Sequence, residues 1–295
     1  MDFLPCPDLK LIKIFVTIVK NKGFAKAQVD LNLSTSAIST YMSQLEAFVG
    51  MKLCDRGRAG FSLTDKGEMY YQACLRLLNE LENFGHHISQ IKGELTGTLK
   101  IGIIDSVVTD RDFCLDEMIR EFSILHPNVY IHLQIQSPYE LQVGILENRF
   151  DIAIGSFVGK MNGIIYNNLH EEQHWLYCSE QHPLFTEKNV TEHAVKQANI
   201  VGRSYWGNAE LAKHGFKRSS TNVDSMEAQL ILILSGIYIG FLPEHYIERW
   251  EGDKNLKVIL PAIFGYKAPF SVITRRGRSQ DIALQTFRKI VRKYQ

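Results

Sequence analysis

The sequence has no large excess of charge of either sign and no long hydrophobic run. Its 33 Lys and Arg residues nearly balance 32 Asp and Glu residues, which leaves a formal net charge of +1. Any affinity for nucleic acid must therefore come from a local basic patch and not from the charge of the whole molecule. The longest apolar stretch, near residues 230–234, is far shorter than the roughly 20 residues that span a bilayer.

Cysteine is also scarce and shows no recognisable spacing. The five cysteines are scattered, odd in number and never arranged as Cys-x-x-Cys: Cys6, Cys54, Cys74, Cys114 and Cys178. This pattern argues against a disulfide framework and against a zinc site, and it fits a reducing compartment. The first fifteen residues contain early acidic residues and no long apolar core, unlike a signal peptide. We therefore expect a cytoplasmic protein with no membrane association and no cofactor.

Catalytic signatures are missing as well. The chain has no Gly-x-Ser-x-Gly elbow and no glycine-rich phosphate loop, so we predict that it is not an enzyme. His170 and His174 have the spacing of a metal pair, but no third ligand follows nearby, which favours surface histidines. Cys114 has only Arg111 as a close basic neighbour, which favours a buried structural thiol over a redox sensor.

The N-terminal part is rich in short helical patterns. With 295 residues the chain predicts two or three domains, and residues 7–48 predict three helices. The first ends before Gly23, the second covers residues 24–31, and the third covers residues 35–48 between a Ser34 N-cap and a Gly50 stop. The predicted inward faces consist of Leu9, Ile12, Phe15, Val16 and Val19, then Phe24, Ala27 and Leu31, then Ala37, Ile38, Met42, Leu45 and Phe48.

Two short helices joined by a tight turn are typical of a helix-turn-helix. The outward face of the third helix is polar and uncharged: Thr35, Ser36, Ser39, Thr40, Ser43 and Gln44, with Tyr41 beside them. Hydroxyl and amide groups can contact base edges in the major groove, although a plain solvated face is the alternative interpretation. Residues 53–67 then predict a small β-wing, in which Arg56 and Arg58 suit phosphate contacts and Thr64 caps the next helix.

That next helix is predicted to run from residue 65 to about residue 92. Its apolar stripe consists of Tyr70, Ala73, Cys74, Leu77, Leu78, Leu81, Phe84, Ile88 and Ile91. A stripe of this length usually meets a second copy of itself, and packing along the chain's own C-terminal domain is the alternative. After a hinge at residues 94–98, strands and helices alternate, which predicts a largely parallel sheet.

The first 90 residues resemble the DNA-binding region of LysR-type transcription regulators. The matching string is FVTIVKNKGFAKAQVDLNLSTSAISTYMSQLEAFVGMKLCDRGRAGFSLTDKG, and HPNVYIHL, FDIAIG, EQHPLF and SGIYIGFLP extend the resemblance over the whole chain. The chain departs from the family at Gly23, Gln28, Ser36, Thr40-Tyr41 and Cys54. The operator therefore cannot be inferred from relatives, because the base-reading face differs.

The resemblance implies a fold and a set of partners. The implied fold class is an α+β winged helix-turn-helix with a long dimerisation helix, followed by an α/β periplasmic-binding-protein-like effector domain. Its domains would be residues 1–64, the helix 65–93, the hinge 94–98 and the effector domain 99–295, with subdomain I at 99–165 and 268–295 and subdomain II at 166–267. The partners would be double-stranded operator DNA, a small-molecule effector and a second copy in a homodimer or dimer of dimers; RNA polymerase stays open as a further partner.

The resemblance also designates candidate site residues. The DNA-binding candidates are Ser34, Thr35, Ser36, Ser39, Thr40, Tyr41, Gln44, Lys52, Arg56, Arg58 and Thr64. The effector candidates follow predicted strands: Asp105, Ser106, Val107, Gln136, Ser137, Pro138, Ser156, Phe157, Arg203, Tyr205, Trp206, Asp224 and Ser225. Ser106, Ser137 and Pro138 match family positions that touch effectors.

The charged candidates suggest two kinds of effector. Asp105, with Glu140 and Asp224, suggests an amine-bearing effector, whereas Arg203 suits a carboxylate and simple helix capping is the alternative for Asp105, Ser137 and Asp224. Two other function classes stay open. A solute-binding transport component without DNA binding would share the C-terminal fold, and a small-molecule enzyme would need a catalytic constellation.

Overall fold

The structure is a computed structural model that describes residues 6–57, 60–91, 96–157, 159–205, 208–249, 255–277 and 281–294. The chain divides into two compact units, residues 1–85 and residues 86–295. The predicted wing residue Arg58, the cleft residue Trp206 and hinge positions 94 and 95 lie outside the described residues. Within the described part, no helix is both long and apolar enough to cross a membrane.

The first unit contains the predicted helices and wing. Its elements are α1 (Leu9–Lys20), α2 (Phe24–Leu31), α3 (Thr35–Val49), β1 (Cys54–Gly57), β2 (Gly60–Leu63) and α4 (Asp65–Ile91), the last of which continues past the unit's end. Phe15, Ile18, Ile38 and Leu45 are fully buried in its core. β1 and β2 form the antiparallel two-stranded wing.

Local chemistry explains where these helices begin and end. Ser34 Oγ accepts a hydrogen bond from the Ala37 amide at 3.2 Å and so caps α3, as predicted, and Gly50 ends that helix in the left-handed region with φ of +67°. Gly23 precedes α2 with φ of +148°, a conformation that side-chain-bearing residues rarely adopt. This backbone conformation explains why residue 23 is a glycine, although the family often has serine at this position.

Two details of the first unit differ from the expected inward faces. Leu9 is 41% exposed and Phe48 is 49% exposed, because they lie at the outer ends of α1 and α3, beyond the reach of the neighbouring helices.

Gly67, in the first turns of α4, is required because of a close backbone approach. A Cβ at this position would lie 1.8 Å from the Leu53 carbonyl oxygen, so α4 approaches the base of the wing only because residue 67 has no side chain.

In its described residues, the second unit is built around a nine-stranded sheet. Its strands are β3 (Gly97–Ile103), β4 (Val129–Ile135), β5 (Ile152–Ser156), β6 (Ile164–Ser179), β7 (Asn199–Arg203), β8 (Thr221–Val223), β9 (Tyr238–Pro243), β10 (Leu256–Val258) and β11 (Tyr266–Arg275). The α-helices are α5 (Leu115–Leu125), α6 (Pro138–Leu146), α7 (Pro183–Thr186), α8 (Glu192–Gln197), α9 (Asn208–Lys213), α10 (Met226–Leu234), α11 (Glu244–Glu248), α12 (Pro261–Phe264) and α13 (Ile282–Lys293), with a short 3-10 turn at Val107–Thr109.

The expectation of a largely parallel sheet is wrong at the sheet's centre. The strand order is β4-β3-β5-β11-β6-β9-β7-β8, with β10 on β6. The parallel pairs lie toward the two ends of this order. β3 is parallel to its neighbours β4 and β5, and β7 is parallel to its neighbours β8 and β9. The long strands β6 and β11 run antiparallel to each other and to their neighbours. Only residues 175–178 of β6 were expected as a strand, because its polar segment, residues 167–174, has no strand-like apolar alternation.

The buried side chains of the second unit form separate cores. One core contains residues from 99–164 and 270–291, and two further cores contain residues from 176–264. β3 starts at Gly97, inside the expected hinge of residues 94–98. The central strands β6 and β11 therefore join two lobes, and the residues that face the space between those lobes come from distant parts of the chain.

Candidate functional site

The outward surface of α3 carries the predicted DNA-reading residues. Ser34, Thr35, Ser36, Thr40 and Gln44 are exposed, and Ser39 and Tyr41 are half-buried. The Thr40 hydroxyl donates its proton to the Ser36 carbonyl at 3.0 Å. Thr40 therefore presents only acceptor lone pairs outward, which suit an adenine or cytosine amino group.

A cation lies beside this surface although α3 itself has no Lys or Arg. The Lys10 ammonium, on α1, donates to the Tyr41 hydroxyl at 2.8 Å and lies 4.5 Å from the centre of the Tyr41 ring. The hydrogen bond to Tyr41 raises the pKa of Lys10, so the amine stays charged. Sequence reasoning missed Lys10 because its partner is 31 positions away and only the crossing of two helices brings them together.

The base of the wing is tied to α3 and α4 through side chains. Glu46 Oε1 accepts from the Leu53 amide at 2.8 Å, and the Thr64 hydroxyl donates to the Lys52 carbonyl at 2.9 Å while it accepts from the Gly67 amide. Thr64 thus caps α4, and its DNA contact remains a prediction. Lys52 is exposed and paired with Asp55, so a phosphate would have to compete with that carboxylate. Arg56 lies in β1, opposite Phe61.

The apolar stripe of α4 divides into two parts. Its first turns pack on the core of the first unit through Tyr70, Cys74 and Leu78. Farther along, Leu77, Leu81, Phe84 and Ile88 are 36%, 38%, 63% and 39% exposed. Spacings of four, three and four place these four residues on one side of the helix, so α4 presents a continuous apolar ridge, called here the α4 ridge.

In the second unit, the loop after β3 reaches across to α10. The Asp105 carboxylate accepts from the Met226 amide at the N-terminus of α10, and the Ser106 hydroxyl donates to Met226 Sδ at 3.0 Å. Ser106 has φ of +64°, and Val107 is 3% exposed. Asp105 is therefore already bonded to a helix N-terminus that attracts negative charge.

A cavity of about 240 Å³ lies between β5, β6, β7 and β11. It is lined by Ile104, Ser156, Phe157, Gly159, Glu172, His174, Arg203, Tyr205, Lys213, Met226, Tyr266, Lys267, Ala268 and Pro269. Four predicted effector residues, Ser156, Phe157, Arg203 and Tyr205, thus line one cavity. Arg203 is buried, and its guanidinium donates to Gln229 Oε1, the Tyr205 hydroxyl and the Phe241 carbonyl, each at 3.2 Å.

Other predicted effector residues lie elsewhere. Ser137 caps α6 and Ser225 caps α10 through amide bonds, while Gln136 and Asp224 are exposed and do not line the cavity. Pro138 lines a neighbouring cavity of about 180 Å³ that shares Tyr205.

Two of the three carboxylates that suggested an amine site have other partners. Asp105 is bonded to α10, and Glu140 pairs with Arg149 at 3.2 Å on the surface. The exposed Asp224 does not line the cavity with Glu172. Asp105 and Glu140 thus already have a hydrogen-bond or ion-pair partner.

A buried polar network that the sequence did not predict borders the cavity. Glu172 is 4% exposed, and its two oxygens lie 2.5 Å from His174 Nε2 and 2.9 Å from His245 Nε2. His245 Nδ1 lies 2.7 Å from the Thr109 hydroxyl, which donates to the Ser106 carbonyl. The two ring nitrogens of His245 thus connect Glu172 on β6 with Thr109 in the loop after β3.

Burial and the contacts between them shift the pKa values of Glu172 and His174. Burial alone would raise the pKa of Glu172, but its two histidine partners outweigh that effect and hold the pKa well below its usual range. Burial lowers the pKa of His174, so its ring is neutral and donates from Nε2. Its Nδ1 is therefore an acceptor, and it has no hydrogen-bond partner within the described residues.

Comparisons with known proteins agree in both units. Residues 9–68 match the family model for the bacterial regulatory helix-turn-helix protein, lysR family, and residues 92–295 match the LysR substrate binding domain. The chain belongs to the LysR family. The HTH-type transcriptional activator BauR of Pseudomonas aeruginosa is 35% identical over 287 residues, which are 96% of this chain and 94% of BauR.

Solved LysR-family structures share the fold. The crystal structure of CbnR, a LysR family transcriptional regulator, matches with a TM-score of 0.72 at 20% identity, over 98% of this chain and 99% of CbnR. Full-length CbnR complexed with its target DNA matches with a TM-score of 0.71 at 21% identity, over 98% of this chain and 100% of CbnR. This LysR-type protein is therefore a transcription regulator with an N-terminal DNA-binding domain and a C-terminal effector-binding domain.

The family assignment decides between the function classes that the sequence left open. The similar proteins are regulators and not enzymes, and a transport component without a DNA-binding domain is not favoured. LysR-type regulators bind operator DNA and oligomerise, which agrees with the partners expected from the sequence.

The two histidines that were expected on the surface, His170 and His174, each contact a buried carboxylate. His174 is 1% exposed, and His170 lies 3.0 Å from the buried Asp110 carboxylate, whose hydrogen bond raises the pKa of His170. They lie on a strand and contact different carboxylates. Groups of three or more potential metal ligands are not found in the described part of the chain.

Three of the thiols, those of Cys74, Cys114 and Cys178, have raised pKa values. Burial raises the pKa of Cys74 and of Cys178 to about 11. Cys114 was expected to be buried but is half-buried; partial burial and the carboxylates of Glu117 and Asp116 raise its pKa too. A raised pKa leaves little reactive thiolate, as expected for a structural thiol.

Proposed function

We propose that this LysR-type regulator binds a two-part operator as a homodimer, or as a dimer of dimers, in the cytoplasm, and that a small molecule in the 240 Å³ cavity switches it. The observation that carries the proposal is a pair of surfaces, the polar face of α3 and the α4 ridge. The first suits major-groove contacts, and the second suits a copy of itself.

The base readers in this proposal are Ser34, Thr35, Ser36, Ser39, Thr40, Tyr41 and Gln44. The phosphate contacts come from Lys52, Arg56, Arg58 and Lys10, with Thr64 at the base of the wing. Lys10 adds a positive charge that the recognition helix lacks, so affinity does not rest on the wing alone. RNA polymerase is the partner through which a bound regulator would act on transcription.

A second apolar surface supports self-association of the effector domain. β4 lies at one end of the sheet order, and Tyr130, Leu133 and Ile135 on it are 69%, 43% and 62% exposed. Ile124 and Leu125 at the end of α5 are also exposed. An edge strand with this much exposed apolar surface suits pairing with another chain, and two different self-contacts per chain would allow a dimer of dimers.

The lobes of the second unit carry the proposed switch. The Asp105, Ser106 and Thr109 contacts hold the loop after β3 against α10 and α11. A ligand in the adjoining cavity would favour one arrangement of the lobes over another, and the regulator would respond through a shift in population.

Gel-shift titrations with operator and random DNA over a range of salt concentrations test the DNA-binding proposal. Thr40→Ala removes a base reader, so we expect lower affinity for the operator by ~10-fold and unchanged affinity for random DNA. Arg56→Ala removes a phosphate contact, so we expect weaker binding to both DNAs and a salt slope reduced by about 1. Equal losses on both DNAs for Thr40→Ala would contradict its reading role.

Lys10→Met tests the charge that sequence reasoning missed. We expect it to behave as Arg56→Ala does, with a salt slope reduced by about 1 on both DNAs. Lys13→Met is the matched control, because Lys13 is also an exposed lysine of α1 but has no contact with Tyr41. An unchanged salt slope for Lys10→Met would remove Lys10 from the interface.

A further inference from the structure

A second cavity lies in the effector domain, away from the space between the lobes. Its volume of about 380 Å³ falls within the roughly 300–1,000 Å³ of small-molecule sites. It lies between residues 166–169 of β6 and the C-terminal half of α13, with Val272 of β11 also in its lining, and is called here the α13 groove. None of its described lining residues also lines the 240 Å³ cavity, so a ligand here would occupy a separate site.

The α13 groove carries two positive charges. Arg288 and Arg292 line it, and their spacing of four positions places them on one face of α13. Arg288 is half-buried and Arg292 is exposed, so both can be reached from solvent. Among the described residues that line the groove, none is acidic. Two like charges held side by side repel each other, and an anion bound between them would relieve that repulsion.

Both arginines lack a polar partner in the part of the second unit that the structure describes. No hydrogen bond or ion pair ties Arg288 or Arg292 to the residues described there. Lys293 on the same helix differs, because its ammonium contacts both oxygens of the Glu121 carboxylate at 2.8 and 3.0 Å. The helix dipole favours a cation in the last turn and so accounts for Arg292, but Arg288 lies more than one turn before the end of α13.

The rest of the lining suits a small organic group. Leu169, Val272 and Val291 supply apolar surface, and the Asn167 carboxamide can donate and accept hydrogen bonds. The α13 groove therefore combines a cationic side with a mixed apolar and amide wall. Its volume leaves room for an organic group beside an anion.

We propose that the α13 groove binds the phosphate monoester of a small molecule, with Arg288 and Arg292 holding the phosphoryl group and the organic part lying over Leu169 and Asn167. Guanidinium groups match phosphate oxygens through paired N–H donors, and a phosphoryl dianion has three terminal oxygens for the two arginines to share. A monocarboxylate has one charge and two oxygens, which engage only one arginine. The inference goes beyond the proposed switch, because it adds a second ligand site in the lobe whose core contains residues 99–164 and 270–291.

Calorimetric titration of the full chain tests the ligand class. The probes are glycerol 3-phosphate and phenyl phosphate as monoesters, inorganic phosphate without an organic group, succinate as a dianion without phosphorus, and acetate as a monoanion. We expect at least one monoester to bind ~5-fold or more tightly than inorganic phosphate, because only the monoester contacts the mixed wall. Acetate should bind ~10-fold or more weakly than that monoester, because it engages one arginine.

Two variants locate the site. Arg288→Met and Arg292→Met are each expected to weaken binding of the preferred monoester by ~10-fold, since each removes a charged donor to the phosphoryl group. Lys289→Met is the matched control, because Lys289 is an exposed cation on the same helix that does not line the α13 groove. The thermal unfolding midpoint without ligand reports whether each variant folds, and the exposed Arg292 keeps the test available if Arg288→Met does not.

The DNA backbone is the other source of phosphate for a DNA-binding protein. The double variant Arg288→Met/Arg292→Met should therefore keep the wild-type salt slope in gel-shift titrations with random DNA. A slope reduced by about 2 would assign the two arginines to DNA and overturn the small-molecule site.

The titrations can also overturn the inference. Inorganic phosphate that binds as tightly as both monoesters would mean an adventitious ion only, and a preference for succinate would reject the phosphoryl group. No binding by either monoester, or an equal loss for Lys289→Met, would reject the site. Retained operator binding in any of these cases leaves the regulator proposal intact, since that proposal does not involve the α13 groove.

Discussion

Replacement of both Leu81 and Phe84 by glutamate is expected to break the proposed contact between two copies, to halve the mass of the assembly, and to weaken operator binding by about 100-fold. Both side chains belong to the α4 ridge and are exposed, Phe84 by 63%. In a dimer their burial would remove apolar surface from water, and four carboxylates facing one another would reverse that gain. Sedimentation or light scattering measures the mass, and gel-shift titration measures the affinity.

The loss of affinity follows from bivalence. A dimer places its second recognition helix at a high effective concentration once the first is bound, which is worth a factor of roughly 10²–10⁴. The glutamate variant keeps each recognition helix intact, so it should bind a single half-site as the wild-type domain does. Its residual binding to one half-site would show that the domain is folded.

Met69→Glu is the matched control for this prediction. Met69 is 74% exposed on the same helix, about a quarter of a turn away from the α4 ridge. A charge there should leave both mass and operator affinity unchanged. If the double variant kept the mass of the wild type, or if Met69→Glu lowered the mass equally, the α4 ridge would not be the contact between copies.

The first unit could be predicted almost residue by residue because its signals are local. Ser34, Gly50 and the turn at Asn32 specify α2 and α3 through capping and left-handed backbone preferences that neighbouring residues encode. Where this reasoning failed, at Phe48 and Lys10, the deciding fact is where a neighbouring helix lies in space. Helical periodicity identifies a face but not the extent of the surface that covers it.

The centre of the second unit could not be predicted for a related reason. The segment around Glu172 and His174 is polar because it borders a cavity, so it lacks the apolar alternation by which strands are recognised. Arg203 and Tyr205 were identified because they follow a predicted strand. Glu172, His174 and His245 were not identified. Glu172 is 2 positions from His174 but 73 positions from His245, and the contact between His245 and Thr109 depends on how the lobes meet.

The buried network gives the second large effect expected from a single substitution. Glu172→Gln should destabilise the chain by about 3–5 kcal/mol, because it replaces a buried carboxylate that contacts both His174 and His245 by a neutral amide. This lowers the thermal unfolding midpoint by on the order of 10 °C. Glu171→Gln is the control: Glu171 is its neighbour, is 62% exposed and lies 3.7 Å from Lys267, so its loss should cost less than about 1 kcal/mol.

The effect of Glu172→Gln should depend on pH in one direction. The folded chain holds the pKa of Glu172 below its usual range, whereas the unfolded chain protonates it near the ordinary value of about 4.3. Its contribution to stability is therefore complete above that value and is lost as pH falls through the lowered pKa of the folded state. The stability difference between wild type and Glu172→Gln should be constant near neutral pH and shrink below pH ~4.3; a difference that grew in acid would mean that Glu172 is protonated in the folded protein.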